Sequence, residues 1–221
     1  MYAVIAAFAG HWYLSLFCQT FFLHRYSAHK MFTMSKYWER FFYMLTYISQ
    51  GSSYLSPRAY AILHRMHHAF SDTEKDPHSP HHTKNVFTMM WETKRIYSAV
   101  LHRKRAVEAH FERNYPEWNL VEKLGDSWLS RIGWGLFYIA FYFVAFFYWD
   151  MHWAFFFLLP IHLLMGPIHG AIVNWSGHKY GYQNFDNQDK SRNSLVLDFL
   201  MMGELFQNNH HKHPNTINFG A

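Results

Sequence analysis

YAVIAAFAGHWYLSLFCQTFFLHRYSAH, residues 2–29, holds no acidic residue and no basic one before Arg25. Its first part, Tyr2 to Leu23, is apolar and aromatic throughout and long enough to cross a bilayer as a helix. A cleaved signal peptide would carry a basic leading region and a small-residue exit of the A-x-A kind. This stretch has neither, and it runs straight into His24 and His29, an H-x4-H pair. A spanning helix that ends in paired histidines sets the fold class: an all-α integral membrane protein carrying a histidine-rich cap.

Outward from that helix, a second apolar region covers Gly133 to Ser176, with one polar break at Trp149-Asp150-Met151-His152. It reads as two spanning helices joined by a tight turn. Trp128, Trp134, Trp149 and Trp153 fall near the proposed ends, where interfacial aromatics concentrate. Phe41 to Leu55 is apolar but short and is broken by Gln50-Gly51-Ser52-Ser53, so it is expected to be interfacial or re-entrant. Thr83 to Trp118 is polar, basic and helix-prone, and predicts amphipathic helices along the membrane face. No repeat, low-complexity tract or linker divides residues 1–221, which read as a single domain.

Composition agrees. Half of the 221 residues are hydrophobic and 21% are aromatic, more than a soluble core of this size requires. The mean hydropathy of −0.21 hides this by averaging apolar runs with a polar, histidine-rich remainder. The only cysteine, Cys18, excludes an intramolecular disulfide and a cysteine metal site, and its apolar setting suits a buried inert thiol. The formal charge of +5 is a topology signal. Every Lys and Arg lies between Arg25 and Arg131 or after Lys179, and none lies in the first helix or at the hairpin tip. That distribution places both polar regions in the cytoplasm and leaves no role for nucleic acid.

Eighteen histidines against fifteen acids need a chemical reason. Beyond His24 and His29, they cluster as His64-Arg65-Met66-His67-His68, as Asn174-Trp175-Ser176-Gly177-His178, and as Gln207-Asn208-Asn209-His210-His211. On a helix, His64, His67 and His68 share one side, and so do Asn174 and His178. Adjacent histidines differ in azimuth by about 100°, so His67 and His68 can serve two neighbouring metals. On an α-helix the five-residue step from His24 to His29 also separates the two rings, which again suits two metals. Counting crossings puts all four clusters on the cytoplasmic side, which scattered core histidines would have no reason to obey. His11, His102, His110, His152, His162 and His169 show no such pattern and read as ordinary satisfied polar residues.

Eight clustered histidines exceed one tetrahedral zinc and fit a dinuclear site. The chain contains no H-E-x-x-H, which argues against a zincin protease, and no Glu-x-x-His, which excludes a carboxylate-bridged di-iron bundle. Imidazole ligands need carboxylates behind them, and Asp72, Asp76 and Glu204 stand near enough in sequence to serve.

These motifs resemble the membrane-bound fatty acid desaturase family, and in particular its stearoyl-CoA (Δ9, acyl-CoA) branch in a bacterial-like form. HRYSAH (residues 24–29) is similar to the first histidine box and HRMHHAFSDTEKDPHSP (residues 64–80) to the second. VNWSGHKYGYQNFD (residues 173–186) is similar to the Asn-x3-His segment, and GELFQNNHHKHP (residues 203–214) to the third box. The likeness runs from about His11 to Pro214. It implies membrane helices beneath a cytosolic helical cap and a cis double bond inserted into a long acyl chain, at Δ9 in the sense of the branch resembled. The implied cofactors are two iron ions, with O2 as co-substrate and electrons from an external donor. The implied metal ligands are His24, His29, His64, His67, His68, His178, His210 and His211, with Asn174 acting through water.

The resemblance has departures. Gln207 stands where this branch has the first histidine of the third box; it offers a carbonyl oxygen there, and His213 lies nearby. The family's first membrane helix and its C-terminal end are not represented, and no His-Pro-Gly-Gly marks a fused cytochrome b5. The implied partners are a long-chain acyl-CoA or acyl-lipid, a ferredoxin or cytochrome b5 with its reductase, and the lipid bilayer. A hydroxylase, ketolase or alkane monooxygenase on the same site would instead leave oxygen in the product. A non-catalytic membrane metal binder would need ionisable residues facing each other at mid-membrane, for which His11 and His162 are the candidates.

Overall fold

Helix α1 runs over Tyr2–Ala28 in the computed structural model of the chain, which describes residues 2–194 and 198–220. Its first half is α-wound, but Cys18–Ala28 is π-wound. The His29 amide donates to the His24 carbonyl at 3.1 Å, a step of five residues instead of four. Such π turns are rare and cluster at functional sites. Here the π-wound segment is the part of α1 that packs on α3 (Pro57–Phe70).

Local chemistry starts the other helices. Ser35 caps α2 (Lys36–Gln50), accepting from the Trp38 amide at 3.5 Å, and Ser56 with Pro57 starts α3. Asn85 and Thr88 form a reciprocal capping box on α4 (Val86–Leu101). Each such cap contributes about 1 kcal/mol. Helix α2 ends at Gly51, where φ is +51° and an added Cβ would lie 1.9 Å from the Tyr138 hydroxyl. Only glycine meets both demands. The short α5 (Asn119–Asp126) leads into α6 (Trp128–Tyr148), capped by Ser127.

Three sequence expectations change. The apolar hairpin begins at Trp128, earlier than Gly133. Its second arm is broken into α7 (Trp153–Leu163) and α8 (Met165–Lys179), which meet at 77°. Pro167 in the first turn of α8 brings no amide proton, and the Gly166 amide turns outward to Ser53 Oγ at 3.1 Å. The expected helices over Thr83 to Trp118 reduce to α4 alone. After it, Arg103 and Asn114 take positive φ of 55° and 54°, which stops helical propagation. Phe41 to Leu55 is too short to cross, as expected: it is the end of α2 followed by the tight turn Gly51–Ser53.

Helix α1 and helix α6 are each long and apolar enough to cross a membrane, and the bent α7–α8 pair makes a third if its two arms count as one span. Leu129, Phe137 and Phe147 of α6 expose 85%, 59% and 68% of their surface. A helix so apolar on its outer face belongs in lipid, and the chain is an integral membrane protein. Two small helices close the cap, α9 (Asp198–Met201) and α10 (Gln207–Lys212), with α10 packed on α8. Among the described residues there is no β-strand, only isolated bridges joining Tyr182, Asn193 and Phe206. The all-α fold class is therefore as expected.

Candidate metal centre

The π-wound end of α1, the middle of α3, the end of α8 and α10 converge, and each carries histidines. Eight of the imidazoles fall into two sets. His24, His29, His64, His68 and His210 form the first; His67, His178 and His211 form the second. Within each set the ligand atoms lie within 4.8 Å of one another.

In the first set the Nε2 atoms face each other. His24 to His210, His64 to His68 and His68 to His210 are each 3.0 Å apart, and His29 to His64 is 2.7 Å. Neutral imidazoles offer one donor each, so five rings cannot satisfy one another through a shared point. A cation at that point resolves the conflict. His24 Nδ1 donates to Glu204 Oε2 at 2.6 Å, and the same carboxylate takes Arg25 and the Thr20 hydroxyl. Burial pushes the Glu204 carboxyl up, but His24 and Arg25 outweigh it and hold it down at about 2.

The second set is built from three carboxylate–imidazole pairs. His67 Nδ1 pairs with Asp76 at 3.0 Å, His178 Nδ1 with Asp72 at 2.9 Å, and His211 Nδ1 with Asp189 at 2.6 Å. The three Nε2 atoms are buried and have no hydrogen-bond partner. A carboxylate behind each Nδ1 leaves Nε2 as a bare lone pair aimed at a common point, which is the arrangement of a metal-ligating histidine. Burial raises the Asp72 and Asp189 carboxyls, yet His178 and His211 beside them bring both well below the usual carboxylate range.

The neighbours His67 and His68 point into different sets, as do His210 and His211. His24 and His29 do not: both belong to the first set, against the expectation for an α-helix. With hydrogen bonds spanning five residues, positions five apart return to one face. Asn174 lines a cavity beside the sets, one turn of α8 before His178. Gln207 is buried, its Cγ packed over Gly177, where an added Cβ would approach it to 2.4 Å. Its Nε2 donates to the Glu204 carbonyl at 2.6 Å. His213 is exposed, lies outside both sets, and rests against Phe185.

Sequence proximity found Asp72, Asp76 and Glu204 but missed Asp189, which lies on an irregular polar loop. The loop is tied down by asparagines: Asn208 Oδ1 accepts the Asn184 and Phe185 amides, and buried Asn193 accepts the Asn208 and Asn209 amides at the start of α10. No residue spacing announces that network. Glu204→Gln keeps the size of the side chain but removes the charge facing His24 and Arg25. It is expected to weaken metal binding at the first set by about 10- to 100-fold, read by iron titration of the purified chain.

The remaining histidines divide. His102 bonds Asp126 at 3.0 Å and His152 caps the Ala154 amide at 3.2 Å, both satisfied as expected. In the membrane layer, His11 Nδ1 and His162 Nδ1 stand 2.5 Å apart, and both nitrogens of buried His169 lack partners. His11 is satisfied as expected, its Nε2 meeting the Ser49 carbonyl at 2.8 Å, whereas His162 Nε2 and the His169 ring are less ordinary than they read; none of the three belongs to a group able to hold a metal among the described residues.

A cavity of about 970 Å³ runs past the first set, with His24, His64, Glu204, Asn174 and Gln207 in its wall. Leu55, Leu163, Pro167 and Gly170 line its inner part, where the turn Gly51–Ser53 faces the α7–α8 break. Exposed Phe87, Trp91, Lys94 and Trp128 line its open side.

The sequence model of the fatty acid desaturase family matches residues 1–218. The chain belongs to the fatty acid desaturase family. Among curated relatives, Delta-9 acyl-lipid desaturase 2 of Arabidopsis thaliana is 29% identical over 200 residues, covering 89% of this chain and 60% of that protein. The sn-1 stearoyl-lipid 9-desaturase of Synechocystis is 28% identical over 201 residues, covering 89% of this chain and 57% of that protein. A hex-5-enoyl (acyl-carrier protein) acetylenase of Moorena producens is 27% identical over 243 residues, covering 98% of this chain and 68% of that protein. The desaturase chain thus spans roughly three-fifths of the length of the first of these relatives.

Proposed function

We propose that the chain is an O2-dependent fatty-acyl desaturase that inserts a cis double bond, at Δ9, into a long acyl chain carried as an acyl-lipid or acyl-CoA. The observation that carries this reading is the coincidence of two adjacent imidazole sets with an acyl-sized cavity. Long-chain ligands need a largely apolar space, and about 970 Å³ is at the upper end for small-molecule sites. The printed names of the relatives support the Δ9 position and an acyl-lipid substrate.

His24, His29, His64, His68 and His210 would hold one iron and His67, His178 and His211 the other, with Asn174 and Gln207 presented from the cavity wall. Five imidazoles converging in the first set exceed the four ligands of a closed zinc site and support iron. Bound iron supplies the activation of O2, so that two C–H hydrogens together with two electrons and two protons reduce O2 to two waters.

The chain's own work is positioning, because an acyl chain offers many nearly equivalent C–H bonds. The cavity wall sets the register by holding the chain against His24 and His64, while Leu55, Leu163 and Pro167 keep water from the reacting carbons. Lys94, exposed on the open side, suits an anionic head group. The distribution of Lys and Arg supports a cytoplasmic face for the metals, within reach of a ferredoxin or of cytochrome b5 and its reductase.

The test is expression in a desaturase-deficient host, with total fatty acids profiled by gas chromatography beside a His67→Ala, His68→Ala control. A new monounsaturated acid absent from the control supports desaturation and locates the bond. A product heavier by one oxygen would replace this reading with hydroxylation. A cavity variant adds resolution. Gly170 lines the cavity, and a Cβ placed there meets nothing within 4 Å. Gly170→Phe is therefore expected to fold and load iron normally. By filling the cavity it should cut turnover of an eighteen-carbon chain by about tenfold or shift the products to shorter chains.

A further inference from the structure

The two imidazole sets are unequal, five rings against three. The side chain that α10 adds beside the smaller set is Gln207, whose amide nitrogen is already given to the Glu204 carbonyl. An amide nitrogen has no lone pair to offer an ion, so only the Gln207 carbonyl oxygen remains as a weak donor. The smaller set is short of a strong ligand.

His78 is the unpaired group beside it. Its side chain is buried, 7% exposed, and neither ring nitrogen has a hydrogen-bond partner. Burying an imidazole with both nitrogens unsatisfied is costly, and such groups in folded chains have a reason. The ring lies against His67, centroid to centroid at 4.3 Å. Ligand atoms of His67, Asp76 and His78 fall within 4.8 Å of one another, so His67 belongs both to this group and to the set with His178 and His211. His78 also lines the cavity, as Gln207 and Asn174 do.

The backbone holds His78 in place. Asp76, the carboxylate that orients His67, also accepts the His78 amide at 3.0 Å. The next residue, Ser79, donates to Asp72, the carboxylate that orients His178, at 3.0 Å. The loop bearing His78 is therefore pinned by two of the three carboxylates that aim the second set.

We propose that His78 is a ligand of the second ion, completing the coordination of His67, His178 and His211 where Gln207 provides no imidazole. Its ring packs on His67, the histidine common to both groups. The inference rests on the metal reading of the two sets and is independent of which reaction they catalyse.

The experiment counts metal rather than product. The full chain, purified in nanodiscs, is titrated anaerobically with ferrous iron, and bound iron per chain is measured with Mössbauer spectra of the two environments. The wild-type chain is expected to bind two ions. His78→Ala is expected to keep the ion of the five-imidazole set, which reports that the variant is folded, and to bind the second about tenfold more weakly or worse. Adding Gln207→His to His78→Ala is expected to restore the second ion. Unchanged affinity and an unchanged second spectrum in His78→Ala would overturn the proposal. So would a double variant that recovers nothing while its first ion stays bound. A wild-type chain that takes up no iron would overturn the metal reading and this inference together.

Discussion

His210→Ala is expected to empty the five-imidazole set and stop product formation. His210 is fully buried, and its Nε2 stands 3.0 Å from both His24 and His68, so it ties α1 to α3 through α10. Phe219 packs on its ring at 4.1 Å, and the Asn209 side-chain amide holds the Phe219 carbonyl at 2.9 Å. Carboxylates that only orient a ligand cost about 10- to 100-fold when lost, so removing a ligand should exceed about a hundredfold in turnover. Iron per chain should fall from two to one, with the His67–His178–His211 environment retained. A variant that keeps two ions and near-normal turnover would remove His210 from the centre. Truncation also opens a cavity, so a lower melting temperature is expected besides.

Acid should release the metals and destabilise the cap well above the range where carboxylates titrate. Burial is the main cause that lowers the pKa of His29, His64, His67, His68 and His210, and neighbouring imidazoles lower them further. For His29 the value falls from 6.5 to about 2. A group whose folded pKa is depressed binds fewer protons folded than unfolded. Its contribution to stability is therefore complete above the unfolded value and lost as pH falls below it. The window opens at about pH 6.5 and deepens downward, and loss of Glu204, held at about 2, follows below about pH 4.5. Only neutral imidazoles bind metal, so iron affinity must fall over the same upper window, with more than one proton taken up per ion released. Melting of the metal-free chain should be level from pH 8 to 7 and decline steadily below 6.5. Iron titrations at pH 7.5 and 5.5 should differ by at least about tenfold. A flat profile to pH 5 would mean that these rings are not held neutral and buried.

Much of the site was legible because membrane helices and histidine spacing are local signals. Residues 2–23 have no charge, and that alone fixes a span; the pairs His67-His68 and His210-His211 announce two directions at once. Asp72, Asp76 and Glu204 could be nominated because a carboxylate close in sequence to a ligand is often close in space. Asp189 could not, since it meets His211 only after Asn184, Phe185, Asn187 and Asn193 have folded their loop onto α10. The second arm of the hairpin was read as continuous because average hydropathy is blind to backbone donors. Pro160 and Pro167 were in plain view, but the break also required Ser53 to take the Gly166 amide.

The sequence by itself determined that this is an all-helical membrane protein whose histidines gather at one membrane face, because charge, length and periodicity act within a few turns of chain. Tertiary structure alone decided how the imidazoles divide. Packing of α1 on α3 selects the π-wound register that swings His29 onto the face of His24, since a helix trades one hydrogen-bond register for another at small cost when contacts favour it. It also decided that His78 stands unpaired against His67, and that Gln207 spends its amide on the Glu204 carbonyl. Those are contacts between segments distant in the chain, and no local propensity encodes them.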